Sequence, residues 1–134
     1  MGVCIQTAYI VWFYGPFPAG DWPNLRITRN NIVHQMEEWE MALADDGYFD
    51  QQENFDTNPS ENELVNVMKG IALARHETIN RRLKRWGVLG QKFRHNLSTH
   101  KDIANAVANL VQMEMLYEDP AFEVPYVENV NELF

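Results

Sequence analysis

The feature that most constrains the fold is residues 63–86, a stretch that contains no proline and repeats apolar residues at helical spacing. At 100° per residue, one side of the helix that this stretch predicts carries a set of large apolar side chains: Leu64, Met68, Ile71, Ile79, Leu83 and Trp86. Gly87 follows directly and indicates the end of the helix. Because an isolated helix is marginal in water, its apolar side must be covered by the rest of the chain.

The amino-terminal part of the chain has the composition of strands. Residues 2–6 and 9–14 are rich in β-branched and aromatic side chains, which predicts a hairpin that turns near residues 7 and 8. The sequence "GPFPAGDWPN" then holds three prolines and two glycines in ten residues, which indicates a loop.

The rest of the chain alternates helical and extended patterns. In order, it predicts a helix over 25–40, a short buried strand in "MALADDGYF", a polar loop over 50–62, the long helix, a helix over 99–116 capped by Ser98 or Thr99, and a short strand near 122–124. Strand, helix, strand and then two helices predict an α/β fold with a small mixed sheet flanked by helices.

The charge is distributed unevenly. The formal net charge is −8, yet residues 69–101 hold nine Lys or Arg and a single acid, Glu77. The net charge argues against a general nucleic-acid binder, whereas the basic stripe can act locally on phosphates. The alternative is a solvated helix face that acids elsewhere neutralise. Cys4 is the single cysteine, so no internal disulfide forms.

Glu77 is open to two interpretations. It can pair with Arg81 four residues on, as many lone acids in basic helices do. Alternatively, it is an acid at the mouth of a cleft, with Lys84 two turns away to hold a phosphate. The same helix side before Glu77 is small or apolar, with Val67, Gly70, Leu73 and Ala74, which predicts that other elements cover it.

Four segments resemble one family in the right order and across nearly the whole chain. They are "IVWFYGPFPAG", "ALADDGYF", "RHETINRRLKRWG" and "KFRHNLSTHKDIANAVANLVQ" with "PAFEVPY" after it. These segments resemble the DDE superfamily endonucleases, the transposases of PIF/Harbinger and related insertion-sequence type. In that family a catalytic Glu is followed, after six residues, by a Lys, and Glu77 and Lys84 keep this spacing.

The resemblance implies a partial RNase H-like fold in which two Asp and one Glu hold two divalent ions, Mg²⁺ or Mn²⁺. Glu77 matches the third acid. Asn24 stands where the second acid belongs, and Asp21 is the only nearby acid that could replace it. The chain starts at Met1, after the point where the family places the first strand and its Asp, so we expect that strand to be missing and nuclease activity to be absent.

The resemblance also implies partners and boundaries. Residues 1–118 correspond to part of the catalytic domain and 119–134 to a carboxy-terminal tail. DNA is the expected partner, and the predicted contacts are Arg75, Arg81, Lys84, Arg85, Lys92 and Arg94. The alternative function is a non-catalytic nucleic-acid-binding module that uses the basic helix over 75–95. A sheet with an open edge also predicts self-association.

Two further expectations complete the prediction. No apolar stretch is long enough to cross a membrane and no secretion signal is present, so we expect a nuclear protein in a eukaryote and a cytoplasmic one otherwise. The aromatic residues near the hairpin could stack on bases or simply pack in the fold: Trp12, Phe13, Tyr14, Phe17 and Trp22.

Overall fold

A computed structural model describes residues 1–17, 21, 23–48 and 54–124. Within these residues the fold is mixed α/β, as predicted, with helices in the majority. The predicted single mixed sheet is wrong for the described residues, because their strands form two separate two-stranded sheets.

The predicted hairpin is confirmed, with shorter strands. Strand β1 (Gly2–Val3) pairs antiparallel with β2 (Ile10–Trp12), and Gly2 lies opposite Trp12. The chain reverses at Ala8, which has a positive φ of 64°. A non-glycine residue is rarely found there, and hydrogen bonds between Cys4 and residues on the far side of the turn fix this conformation.

The predicted helix over 25–40 is wrong in its length. Helix α1 covers only Asn24–Arg29, and a 3-10 helix follows at Ile32–Gln35. The break falls at Asn31, whose φ and ψ of −141° and −74° are not helical. Its side-chain oxygen accepts a hydrogen bond of 2.7 Å from the indole N–H of Trp12. Asn side chains readily form hydrogen bonds that compete with helical backbone geometry. The contact of Asn31 with the hairpin is therefore formed in place of a continuous helix through this residue.

The second sheet contains one predicted strand and one unexpected strand. Strand β3 (Ala42–Leu43) lies within the predicted strand segment and pairs parallel with β4 (Phe55–Asp56). Residues 54–56 were predicted as loop, and a two-residue strand is too short to give a periodic signal. After β3 the carboxylate of Asp45 accepts a hydrogen bond from the Gly47 amide, which forms a tight turn.

The two long helices agree closely with the sequence pattern. Helix α2 spans Glu63–Arg85, a four-residue helix α3 follows at Gly87–Gly90, and helix α4 spans Leu97–Tyr117. The cap predicted at Ser98 or Thr99 is wrong. Asn96 caps α4 instead, and its side-chain oxygen accepts a 2.7 Å hydrogen bond from the Thr99 amide.

The core lies where α2 crosses α4 and the hairpin. Ile79 and Val111 are fully buried at its centre, and each contributes about 1.5–3 kcal/mol by leaving water. The remaining members come from the hairpin turn and from successive turns of the two helices: Ala8, Leu83, Val107, Ala108 and Met115. On α4 these residues recur every three or four positions, so the helix presents one continuous apolar side to α2.

The tail continues along α2 without a strand in residues 119–124, so the strand predicted at 122–124 is wrong; residues 125–134 lie outside the described part. Asp119 forms an ion pair with Arg82 at 3.1 Å. Among the described residues, no helix combines the length and the hydropathy that crossing a bilayer requires.

Candidate nucleic-acid interface

Glu77 lies on the solvent side of α2. Its side chain is 66% exposed, and its closest ionic neighbour is the Nδ1 of His76 at 3.8 Å. It forms no ion pair with Arg81, so the helical pair that the sequence suggested is not made. Val67, Gly70 and Ala74, on the same side, are exposed as well, whereas Leu73 is half-buried. The expectation that other elements cover this side before Glu77 is therefore wrong at three of its four positions.

The two other candidate acid positions lie at the start of α1. Asn24 is the first residue of that helix, and its side chain lies outside what the structure describes. Asp21 is exposed in the preceding turn, where its main-chain oxygen accepts a hydrogen bond from Arg26. The contacts described for Asp21 and Glu77 therefore do not link the two residues.

The donor set does not fit the two divalent ions that the resemblance implies. Two dications need several anionic oxygens around them. Among the described residues, no three His, Cys, Asp or Glu side chains come close enough together to hold even one ion. Glu77 instead faces water beside a histidine. We therefore derive no catalytic step through a metal from these residues.

Arg75 is part of the fold rather than of its surface. Only 3% of the residue is exposed, and its guanidinium donates hydrogen bonds to the main-chain oxygens of Cys4 and Phe122. Burial lowers the pKa of this side chain, and the nearby Cys4 thiol opposes that shift. Arg75 was predicted to contact phosphate, but in this structure a phosphate cannot reach it.

Two other cations of the stripe are already paired. Arg82 binds Asp119 of the tail, and its side chain is 13% exposed. Arg85, one of the predicted phosphate contacts, donates two hydrogen bonds to the carboxylate of Glu114 on α4. These arginines join α2 to neighbouring segments, so part of the basic stripe is structural.

Four predicted contacts remain available, and we call them the basic ridge: Arg81, Lys84, Lys92 and Arg94. Each is exposed, and none forms an ion pair with a described residue. The backbone of Gly90 lies so close to the Lys84 carbonyl that an added Cβ would clash with it, which places the start of the segment that carries Lys92 and Arg94 against α2. Lys92 follows two residues later, within about 7 Å of Gly90 along the chain.

Lys101 extends this surface onto α4. It is exposed and unpaired among the described residues, although the sequence did not single it out. Its only signal there was its membership of the stripe over 69–101, since it belongs to a different helix from Glu77.

No protein-family model matches this chain, and no significant match to it occurs among the curated proteins or the solved structures.

Proposed function

We propose that this chain binds nucleic acid without cutting it, and that it descends from the catalytic domain of a DDE-type transposase with an RNase H-like fold. The observation that carries the proposal is the basic ridge of Arg81, Lys84, Lys92 and Arg94. Four exposed cations without acidic partners among the described residues remain in a chain whose net charge is −8. Of the other basic residues in the same stripe, Arg75 is buried and Lys69, Arg82 and Arg85 are paired with acids, whereas Lys101 is exposed like the ridge.

The ridge supports phosphate contact for an electrostatic reason. Lys and Arg that neutralise phosphates release condensed counterions, which favours binding most at low salt. Glu77 is the single acid among residues 69–101, and Glu114 and Asp119, which reach this stretch from outside it, are paired with Arg85 and Arg82. The descent rests on the four ordered segments of resemblance and on the Glu77–Lys84 spacing.

The non-catalytic part of the proposal rests on the acids. Asn24 occupies the position of the second catalytic acid and carries no charge. Glu77 is directed to solvent, with His76 as its nearest ionic neighbour. One matched carboxylate cannot supply the oxygens that two divalent ions require.

Binding is tested by fluorescence anisotropy with a labelled DNA duplex over a range of salt concentrations. If four phosphates are contacted, the logarithm of the association constant falls with the logarithm of salt with a slope of roughly −3 to −4. Lys84→Ala should weaken binding and reduce that slope by about 1.

Lys69→Ala is the matched control, because it changes the net charge equally but removes a lysine that is paired with Asp56 at 2.7 Å. The two variants should therefore differ. Equal losses of affinity in the two variants would show that only the net charge matters. An affinity that does not depend on salt concentration would contradict phosphate contact.

Catalysis is tested separately by incubating plasmid DNA with Mg²⁺ or Mn²⁺ and the purified chain. We expect no nicking. Metal-dependent cleavage that Glu77→Gln abolishes would overturn the non-catalytic part of the proposal and restore Glu77 to the role that the resemblance implies.

A further inference from the structure

A pocket of about 240 Å³ lies between the segment after β2 and the first turns of α4. One wall is aromatic and the other is a helix with polar and basic side chains. The residues that matter for its chemistry are Phe13, Tyr14, Phe17, His100, Lys101 and Asn105. Its volume is below the roughly 300–1,000 Å³ of sites for drug-sized ligands, so it suits a single ring system.

In the aromatic wall, Tyr14 contacts neighbouring rings and yet stays accessible to solvent. The rings of Tyr14 and Phe17 lie 5.3 Å apart in an edge-to-face arrangement, and the ring of Trp12 lies 6.1 Å from that of Tyr14. Tyr14 nevertheless remains 47% exposed. Aromatic residues that only pack in a core lose most of their solvent exposure. The ring of Tyr14 is half exposed and is held in place by neighbouring rings, so it is suited to stacking on a ligand.

The pocket adjoins the basic ridge. The ring of Phe93 lies 4.6 Å from the ring of His100, which lines the pocket. Lys92 and Arg94 flank Phe93 in the chain, so this contact brings two cations of the ridge to the side of the pocket. Lys101 stands at the pocket itself. An aromatic pocket with cations along one side is the combination that single-stranded nucleic acids require, because bases stack and phosphates are neutralised.

We propose that this pocket takes one unpaired base of a single-stranded nucleic acid, while Lys101 and the basic ridge hold the phosphates on either side. The inference rests on the proposed function and specifies its substrate class. A base within a duplex is stacked on both faces and paired, so it cannot enter the pocket without leaving the helix. Asn105, which both donates and accepts hydrogen bonds, is the group on the helical wall that can meet the edge of a base.

The test compares a labelled single-stranded oligonucleotide with the matching duplex at one salt concentration. We expect the full chain to bind the single strand more tightly. Tyr14→Ala should weaken single-strand binding by at least about fivefold, because stacking on one base is commonly of that size, and should leave duplex binding unchanged. Tyr14→Phe keeps the ring and should bind as the unaltered chain does.

Two controls separate the pocket from other aromatic surface and from the backbone. Tyr117→Ala removes an aromatic ring that is 80% exposed at the far end of α4, and it should not change binding. An oligonucleotide with abasic sites keeps its phosphates but has no base to insert, so it should show the same loss as Tyr14→Ala. Asn105→Ala provides a second pocket variant if Tyr14→Ala does not fold.

The outcomes distinguish this inference from the proposed function. If Lys84→Ala weakens binding to both forms while neither pocket variant has an effect, the pocket proposal is overturned and phosphate binding stands. Equal affinity for single strand and duplex also overturns it. If neither form binds in a salt-dependent way, the proposed function fails and the pocket proposal fails with it.

Discussion

Arg85 on α2 donates hydrogen bonds of 2.6 and 2.7 Å to the two carboxylate oxygens of Glu114 on α4. The hydrogen bond and charge of Glu114 raise the pKa of Arg85 above its usual value. The pair joins the two long helices and occupies a cation that a phosphate could otherwise contact. The accessible basic surface therefore consists of the cations that have no acidic partner among the described residues, rather than of the whole basic stripe.

Glu114→Gln is expected to strengthen nucleic-acid binding. The substitution keeps the shape of the side chain but removes the charge that holds Arg85, so a fifth predicted contact becomes available. The slope of the association constant with salt should steepen by about 0.9 for a duplex. Titrations at several salt concentrations measure this. An unchanged slope would mean that Arg85 lies too far from the bound phosphates to contribute.

Arg75→Ala is expected to destabilise the fold. The buried guanidinium donates to the main-chain oxygens of Cys4 and Phe122, so its removal leaves a cavity and takes away the hydrogen bonds that tie α2 to the hairpin and to the tail. The loss in unfolding free energy should be about 2 kcal/mol, measured by urea denaturation. Arg81→Ala, at an exposed position of the same helix, should leave the midpoint almost unchanged. A stable Arg75→Ala variant with weakened binding would instead return Arg75 to the interface.

The Cys4 thiol is expected to ionise at a lower pH than an ordinary cysteine. Burial raises its pKa, but hydrogen bonds from the side chain and amide of Thr7 and from the Gln6 amide, together with the charge of Arg75, outweigh burial and lower it. Since the thiolate is the reactive form, alkylation by iodoacetamide should reach half its maximal rate at a lower pH in the folded chain than in urea.

Thr7→Val should raise the midpoint of this alkylation profile, because it removes the side-chain hydrogen bond. Thr7→Ser keeps the hydroxyl and is the matched control. A folded chain whose midpoint equals that in urea would show that these hydrogen bonds do not form.

Self-association through an open sheet edge is the fourth expectation. Among the described residues β1 pairs only with β2 and β3 only with β4, so unpaired edges remain. Val11, in the middle of β2, is 67% exposed. Val11→Lys should shift the chain toward monomer in sedimentation velocity, because a charge on an edge strand disfavours pairing. Val67→Lys, on α2, should not. An unaltered chain that stays monomeric at all protein concentrations would refute the prediction.

Several elements could be predicted because their signals are local. The apolar repeat over 63–86 and the glycine after it gave α2 to within one residue, and the β-branched residues of 2–6 and 9–14 gave the hairpin. Even the burial of Arg75 had a local signal. It follows Leu64 by eleven positions, a spacing that returns it to within roughly 20° of the same side of the helix. That angle places a basic residue in the middle of the apolar side.

The candidate site was predicted only in part. The sequence placed Arg81, Lys84, Lys92 and Arg94 in one stripe, and the structure leaves these four exposed. It could not show that Asn31 would bind Trp12 and interrupt a helix, because that contact joins residues of different elements. Nor could it show the pocket, whose two walls lie more than eighty residues apart in the chain.

The sequence by itself determined the two long helices, the hairpin and the location of the basic stripe, since helical periodicity, caps and charge are properties of neighbouring residues. Only the tertiary structure decided which cations of that stripe are free. The partner of Arg85 lies 29 residues further along the chain, and those of Arg75 lie 71 residues before it and 47 after it. Ion pairing and burial depend on neighbours in space, and no local pattern determines which distant residues those will be.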